Sequence, residues 1–202
     1  HATIRRQRQM CIRDRALDPG EDINGNRILD TKKDYTKRHG SVNDTFQMSL
    51  RHITVKIGKG NPGAIGVLWR TAQGTMIHKV KVVGPSFSEY DGSPSYFPYG
   101  GIIAQGEGGG GVWKDLEISG TNIGLGGFIT QLSLLEAKIH DIQNEAVHWR
   151  SNSSTALTMI GLDIRNSGWG IRLDPGPDTP YCILDSYIEA PLFSSQGDGN
   201  PV

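Results

Sequence analysis

Short apolar runs recur along this chain with one internal spacing. In the stretch Asn61–Val82, NPGAIGVLWRTAQGTMIHKVKV, a short apolar strand leads through a Gly-punctuated turn into a second strand that alternates apolar and charged residues. The second strand carries the triplet Ile77, Val80 and Val82. Matching triplets are Leu50/Ile53/Val55, Trp113/Leu116/Ile118, Leu134/Ala137/Ile139, Met159/Leu162/Ile164 and Ile183/Ser186/Ile188. Their last members follow one another at 27, 36, 21, 25 and 24 residues, a period of a little over twenty with one large insertion. A fixed period in this range marks an architecture of stacked coils.

The strand before the turn repeats as well. Gly66-Val67-Leu68-Trp69-Arg70 aligns with Gly101-Ile102-Ile103-Ala104-Gln105, Gly127-Phe128-Ile129-Thr130-Gln131, Ala146-Val147-His148-Trp149-Arg150 and Gly170-Ile171-Arg172-Leu173-Asp174. Each coil thus supplies at least two short strands. No coil buries its own apolar side, whereas stacking gives each strand a neighbour above and below and closes a continuous core. The two-residue turn signals of hairpins are missing between these strands, which argues against a sandwich or propeller. The pattern predicts an all-β chain folded as a right-handed parallel β-helix (solenoid) of about five to six coils.

Because side chains alternate sides along a strand, the same alignment sorts faces. In the first strand Val67, Trp69 and their equivalents point inward. The outward ladder is then Arg70, Gln105, Gln131, Arg150 and Asp174, with His148 and Arg172 on the same side. In the second strand the outward column is Thr54, Lys81, Glu117, Lys138, Asp163 and Tyr187, four of them alternating in sign as cross-strand pairing favours. That column reads as structural. The first-strand ladder, with its amides and guanidiniums, reads as the binding face.

Composition sharpens this picture at a few points. The chain has 202 residues, enough for one domain with a closed core. Its 27 glycines are about twice the roughly 7% average usage, as many turns joining short strands require. With 21 basic and 21 acidic residues there is no electrostatic footprint for nucleic acid. No apolar run approaches the roughly 20 residues of a membrane span. Two cysteines make no disulfide framework; Cys182, next to inward Ile183, reads as a packed thiol, and His52 and His78 as structural side chains at turns. Residues 1–15 are basic and unlike the rest, and Met10-Cys11-Ile12-Arg13-Asp14-Arg15 resembles a translated sequencing adapter; an artefact or a disordered arm is expected there. Residues 16–45 read as an irregular lead-in, and 46–202 as a single β-helix domain expected to be cut at both ends.

Leu50-Arg51-His52-Ile53-Thr54-Val55-Lys56-Ile57-Gly58, Asn61-Pro62-Gly63-Ala64-Ile65-Gly66 and the Gln73-Gly74 turn resemble the pectate-lyase-like superfamily of β-helices, nearest the glycoside hydrolase family 55-like branch. The similarity is strongest over about residues 46–83. It implies a secreted or periplasmic protein that acts on polysaccharide, by hydrolysis or by lyase chemistry, without a cofactor; calcium enters only for a lyase. A glycan-binding or adhesion module without catalysis is the alternative of a different class, since fold does not fix function.

Candidate chemistry lies on the ladder and in the insertion PSFSEYDGSPSYFPYG. Insertions on a regular scaffold are where function sits, and Tyr90, Tyr96, Phe97 and Tyr99 offer rings for stacking on sugars, or for packing the loop onto the flank. Hydrolysis needs two carboxyl groups about 5 to 9.5 Å apart. Asp174 and Glu107 are the catalytic candidates, with Glu145, Glu89 and Asp91 as further acids; Asp174 has the alternative of a ladder ion pair with Arg150. The substrate-binding candidates are Arg70, Gln105, Gln131, His148, Arg150, Arg172 and the four rings. No metal-ligand spacing is present.

Overall fold

The computed structural model describes residues 46–90, 92–93, 96–104, 110–128, 131–150, 156–174 and 180–194, with backbone only for Phe128, Arg150, Asp174 and 192–194. The expectations for residues 1–45 lie outside the described residues. Eleven strands follow in order: β1 Ser49–Lys56, β2 Ile65–Trp69, β3 Thr75–Val83, β4 Gly100–Ala104, β5 Gly111–Phe128, β6 Gln131–Arg150, β7 Ala156–Ile160, β8 Asp163–Asp174, β9 Tyr181–Leu184, β10 Tyr187–Ile188 and β11 Leu192–Ser194. Among the described residues every strand pairing is parallel, each strand lying on its equivalent one coil away. The chain is a parallel β-solenoid of about five turns. No helix among the described residues is long and apolar enough to cross a membrane.

The apolar triplets set the register. Leu50, Ile77, Trp113, Leu134, Met159 and Ile183 stack in one column, and Val55, Val82, Ile118, Ile139, Ile164 and Ile188 in another. Between the first and second member of each triplet stands a residue with positive φ: His52 at 54°, Lys79 at 54°, Asp115 at 54°, Glu136 at 55°, Gly161 at 69° and Asp185 at 48°. A left-handed residue turns the strand through a corner and delays the inward side by one position. This is why the apolar interval is three residues there and two afterwards. A second corner follows at Gly120 (69°), Asp141 (57°) and Asn166 (46°). β5 and β6 run unbroken round both corners, so each coil presents three faces: face 1 before the first corner, face 2 between the corners and face 3 after the second.

All three faces deliver side chains to one core, and Ile77, Val82, Trp113, Ile118, Ile139, Met159 and Ile164 are fully buried in it. Each contributes about 1.5–3 kcal/mol by leaving water. Trp113 of face 1 meets Trp149 of face 3 edge-on, ring centres 6.0 Å apart. Face 3 opens with a small residue for a steric reason. A Cβ on Gly101 would lie 2.5 Å from Ile118 Cγ2, and one on Gly124 2.8 Å from Ile139 Cγ2, so the branched column of face 2 leaves no room at that point.

The outward column of face 2 is as read from the sequence: Thr54, Lys81, Glu117, Lys138, Asp163 and Tyr187 are in register. Lys81 pairs with Glu117. Arg165 grips Asp163 at 2.6 and 3.2 Å. Two expectations need correction. The third first-strand copy is Gly124-Leu125-Gly126-Gly127-Phe128, three residues earlier than expected, because Ile103 pairs with Gly126 and Ala104 with Gly127. Gln131 therefore leaves the ladder for face 1, opposite Ala156, and Phe128 takes its place. Cys182 is exposed, since alternation beside inward Ile183 turns the thiol outward.

The first corner carries charge. His78 meets Asp115 at 2.8 Å and Lys114 meets Glu136 at 3.4 Å, each on the coil beyond. A hydrogen bond from the Glu136 carboxyl, then His78 and Lys114, hold the Asp115 carboxyl below its ordinary value of 3.8. The folded state thus binds this proton less readily than the unfolded chain. The resulting stability is complete above the unfolded value and is lost as pH falls through the lower folded one. Asp115→Asn is expected to flatten the acid limb of a urea-denaturation pH series. In the same assay at neutral pH, Lys79→Gly should gain up to about 1 kcal/mol by relieving the left-handed backbone, and Gly161→Ala should lose about 1 kcal/mol.

Candidate functional site

The outer side of face 3 divides in two along the solenoid axis. Leu68, Ile103, Gly126, His148 and Arg172 stack in one column, and Ile65, Gly100, Ile123, Glu145 and Trp169 in another. Over the early coils this side is apolar and covered except at Leu68, which is exposed: Ile103, Ile123 and Tyr99 are buried and form a second small cluster with Ile65. Over the later coils it is polar. Arg172 Nη1 donates to Glu145 Oε1 at 3.0 Å, the carboxylate side chain being 12% exposed and the guanidinium 35%. His148 lies opposite Arg172 in register and is 6% exposed, while Trp169, opposite Glu145, is 39% exposed. A charge-assisted bond of this kind fixes the direction of both groups. Two cationic-capable side chains, one oriented carboxylate and one open indole thus share a patch spanning two coils.

The insertion builds a core of its own. Ser86 caps a 3-10 turn at Phe87–Glu89, accepting from the Ser88 amide. Phe97 is fully buried, with ring centres of Phe87, Tyr96 and Tyr90 at 4.6, 4.9 and 5.0 Å. The Tyr96 hydroxyl donates to the Ser86 carbonyl at 3.1 Å. Tyr96, Phe97 and Tyr99 are 3%, 0% and 6% exposed, so these three rings pack the loop onto the flank, and only Tyr90 of the four presents a face to solvent. Its hydroxyl accepts from Gln143 Nε2 at 3.2 Å.

Beside Tyr90 a groove of about 500 Å³ follows the second corner, between Phe87 on one side and Gln143, Asn166 and Glu189 on the other. Phe87 lies in the insertion marked in the sequence, and the other three were missed. The available signal was position: Asp141 and Asn166 each fall two residues after the last triplet member, where the coil must turn again.

The remaining candidates scatter. Arg70 is exposed where the chain leaves β2, and Glu89 is exposed on the 3-10 turn. Arg150 and Asp174 are opposite one another in backbone register, as a ladder pair requires. Gln105, Glu107 and Asp91 lie outside the described residues. Among the described residues no three His, Cys, Asp or Glu side chains gather as a metal site. Phe97→Ala is expected to lose about 3 kcal/mol in urea denaturation and to expose the insertion to limited proteolysis, whereas Tyr96→Phe, which removes one hydrogen bond, should lose about 1 kcal/mol.

Comparison with characterised proteins and with solved structures gave no match to either. The family model described as rhamnogalacturonase A/epimerase, pectate lyase-like, matches residues 17–172. That span covers most of the chain and every coil up to the Glu145–Arg172 patch, and on this ground the chain belongs to the rhamnogalacturonase A/epimerase, pectate lyase-like family.

Proposed function

We propose that this protein is a carbohydrate-active β-helix that hydrolyses polysaccharide, working outside the cytoplasm as a secreted or periplasmic protein of the glycoside hydrolase family 55-like branch. The family description names a rhamnogalacturonase, an epimerase and a likeness to pectate lyase, all of them carbohydrate chemistries. The observation that carries the reading is the Glu145–Arg172 pair with His148 alongside and Trp169 open beside it. An exposed indole suits the apolar face of a sugar ring, and an oriented carboxylate and guanidinium suit its hydroxyls.

Hydrolysis needs two carboxyl groups about 5 to 9.5 Å apart across one bond. Glu145 stands opposite Trp169, and Asp174 is five residues further along β8, about 16 Å of strand. These two acids therefore serve different sugar residues. In this proposal Glu145 and Arg172 orient the chain, and Asp174 supplies one of the two reacting carboxyls; β4, which leads to Glu107, lies three rungs or about 14 Å from β8, so Glu107 is not proposed as its partner. A second reading, a polyuronate lyase using calcium, draws on Arg172, whose guanidinium suits an acidic sugar, with His148 beside it in register.

Reducing-end release from a panel of neutral and acidic polysaccharides tests the reading. Arg172→Ala is expected to raise KM about tenfold with kcat little changed, and Asp174→Asn to lower kcat about 10³-fold. Ultraviolet-absorbing unsaturated products would replace hydrolysis by the lyase reading. Glycan retention with neither product would leave a non-catalytic binding module.

A further inference from the structure

We infer that the groove at the second corner is a separate subsite for a neutral sugar residue. The inference rests on the carbohydrate reading for its ligand class only, and the two stand on different residues. The groove is lined by Ile142, a 1% exposed residue of the main core, and by Phe87 from the insertion. Its opposite rim comes from three successive coils: Gln143, then Asn166 and Ser167, then Glu189. The groove is open to solvent, and its volume of about 500 Å³ leaves room for a sugar residue lying along it.

The polar groups on this rim are already held in place. Asn166, left-handed at φ 46°, donates its side-chain amide to Asp141 Oδ1 at 2.5 Å, and Asp141 Oδ2 in turn meets His140 Nδ1 at 2.9 Å. That commits one end of the Asn166 amide to the wall. Gln143 spends an N–H on the Tyr90 hydroxyl. Each amide thus keeps its carbonyl oxygen as an acceptor, and Glu189 and the Ser167 hydroxyl add to them. Phe87 is fixed against Phe97 with ring centres 4.6 Å apart. An aromatic ring and several acceptors lining one groove match a pyranose, which pairs an apolar C–H face with hydroxyl donors.

Charge narrows the sugar. Among the described residues lining the groove, Glu189 has the only ionisable side chain, so a uronate carboxylate entering here meets a like charge and no cation. Arg165, which feels the Glu189 charge, is committed elsewhere: Asp163 holds it at 2.6 and 3.2 Å, and it lies over the Tyr187 ring at 4.9 Å. Face 3 differs in offering a guanidinium, that of Arg172, to a carboxylate. The two sites therefore sort sugars by charge.

The test follows the side-chain amide resonances of Gln143 and Asn166 by ¹H–¹⁵N NMR, with affinities from calorimetry. The probes are neutral hexasaccharides of β-1,4-glucan, β-1,4-xylan and β-1,4-galactan, together with hexagalacturonate. A neutral probe is expected to shift both amides. Phe87→Ala should weaken its binding at least tenfold, and Phe87→Leu, which keeps the packing volume but not the ring face, should do nearly as much; Arg172→Ala should change it less than twofold. Glu189→Gln should admit hexagalacturonate to the groove. The proposal is overturned if no neutral probe shifts these amides, if both Phe87 variants bind as the parent does, or if hexagalacturonate shifts the parent amides as strongly as a neutral probe. Hexagalacturonate binding that is lost in Arg172→Ala, with no neutral probe shifting the amides, overturns the groove alone and keeps the face 3 reading. Neutral binding at the groove, with no saccharide responding to Arg172→Ala, keeps the groove and removes that reading.

Discussion

A left-handed backbone residue at the same point of every coil is the constraint on which this solenoid depends. Five of the six residues at the first corner carry side chains, although the conformation costs an L-residue about 1–2 kcal/mol. The strain persists because parallel ladders above and below hold each corner on both sides. With the corners fixed, everything else follows by stacking. Apolar columns close the core, and a branched column on face 2 demands the small residues that open face 3. Charged side chains at the first corner then find partners one coil away rather than along their own strand.

The candidate sites arise where this regularity is modified. The insertion covers the early coils of face 3 through Tyr99 and leaves the later coils open, and there the outward positions change from isoleucine to Glu145, His148 and Arg172. The second corner changes in the same direction, from Gly120 to Asp141 and Asn166. Polar character therefore accumulates along the solenoid axis on two adjoining surfaces, an ion pair with a histidine on one and a row of acceptors on the other.

Much of the scaffold was legible because the physics behind it is periodic. The triplets and the face 2 column could be aligned from alternation alone, since each coil repeats the same side-chain types at the same points. The third copy of face 3 could not: Gly124-Leu125-Gly126-Gly127 has too few side chains to alternate, and Phe128 began a more convincing but displaced frame. The insertion rings illustrate another limit. Composition supplied aromatics without saying that Phe97 would be the centre of a small core and Tyr90 its rim. The groove was illegible for a third reason: Gly120, Asp141 and Asn166 share a backbone conformation and no side-chain chemistry, so no residue pattern announces the corner they make.

The Tyr90–Gln143 hydrogen bond joins the coil that carries the insertion to the coil two further on, passing over the one that ends at Phe128. Stacked repeats ordinarily communicate only with their immediate neighbours, so that a solenoid frays one rung at a time from either end. A brace across a rung breaks that rule. It adds a tie of about 1 kcal/mol between the first and third of three consecutive coils, and it links the insertion beside the groove to the coil on its far side. In mechanical terms the insertion is a light splint, laid across a rung that the parallel ladders alone would leave spanned only by its neighbours.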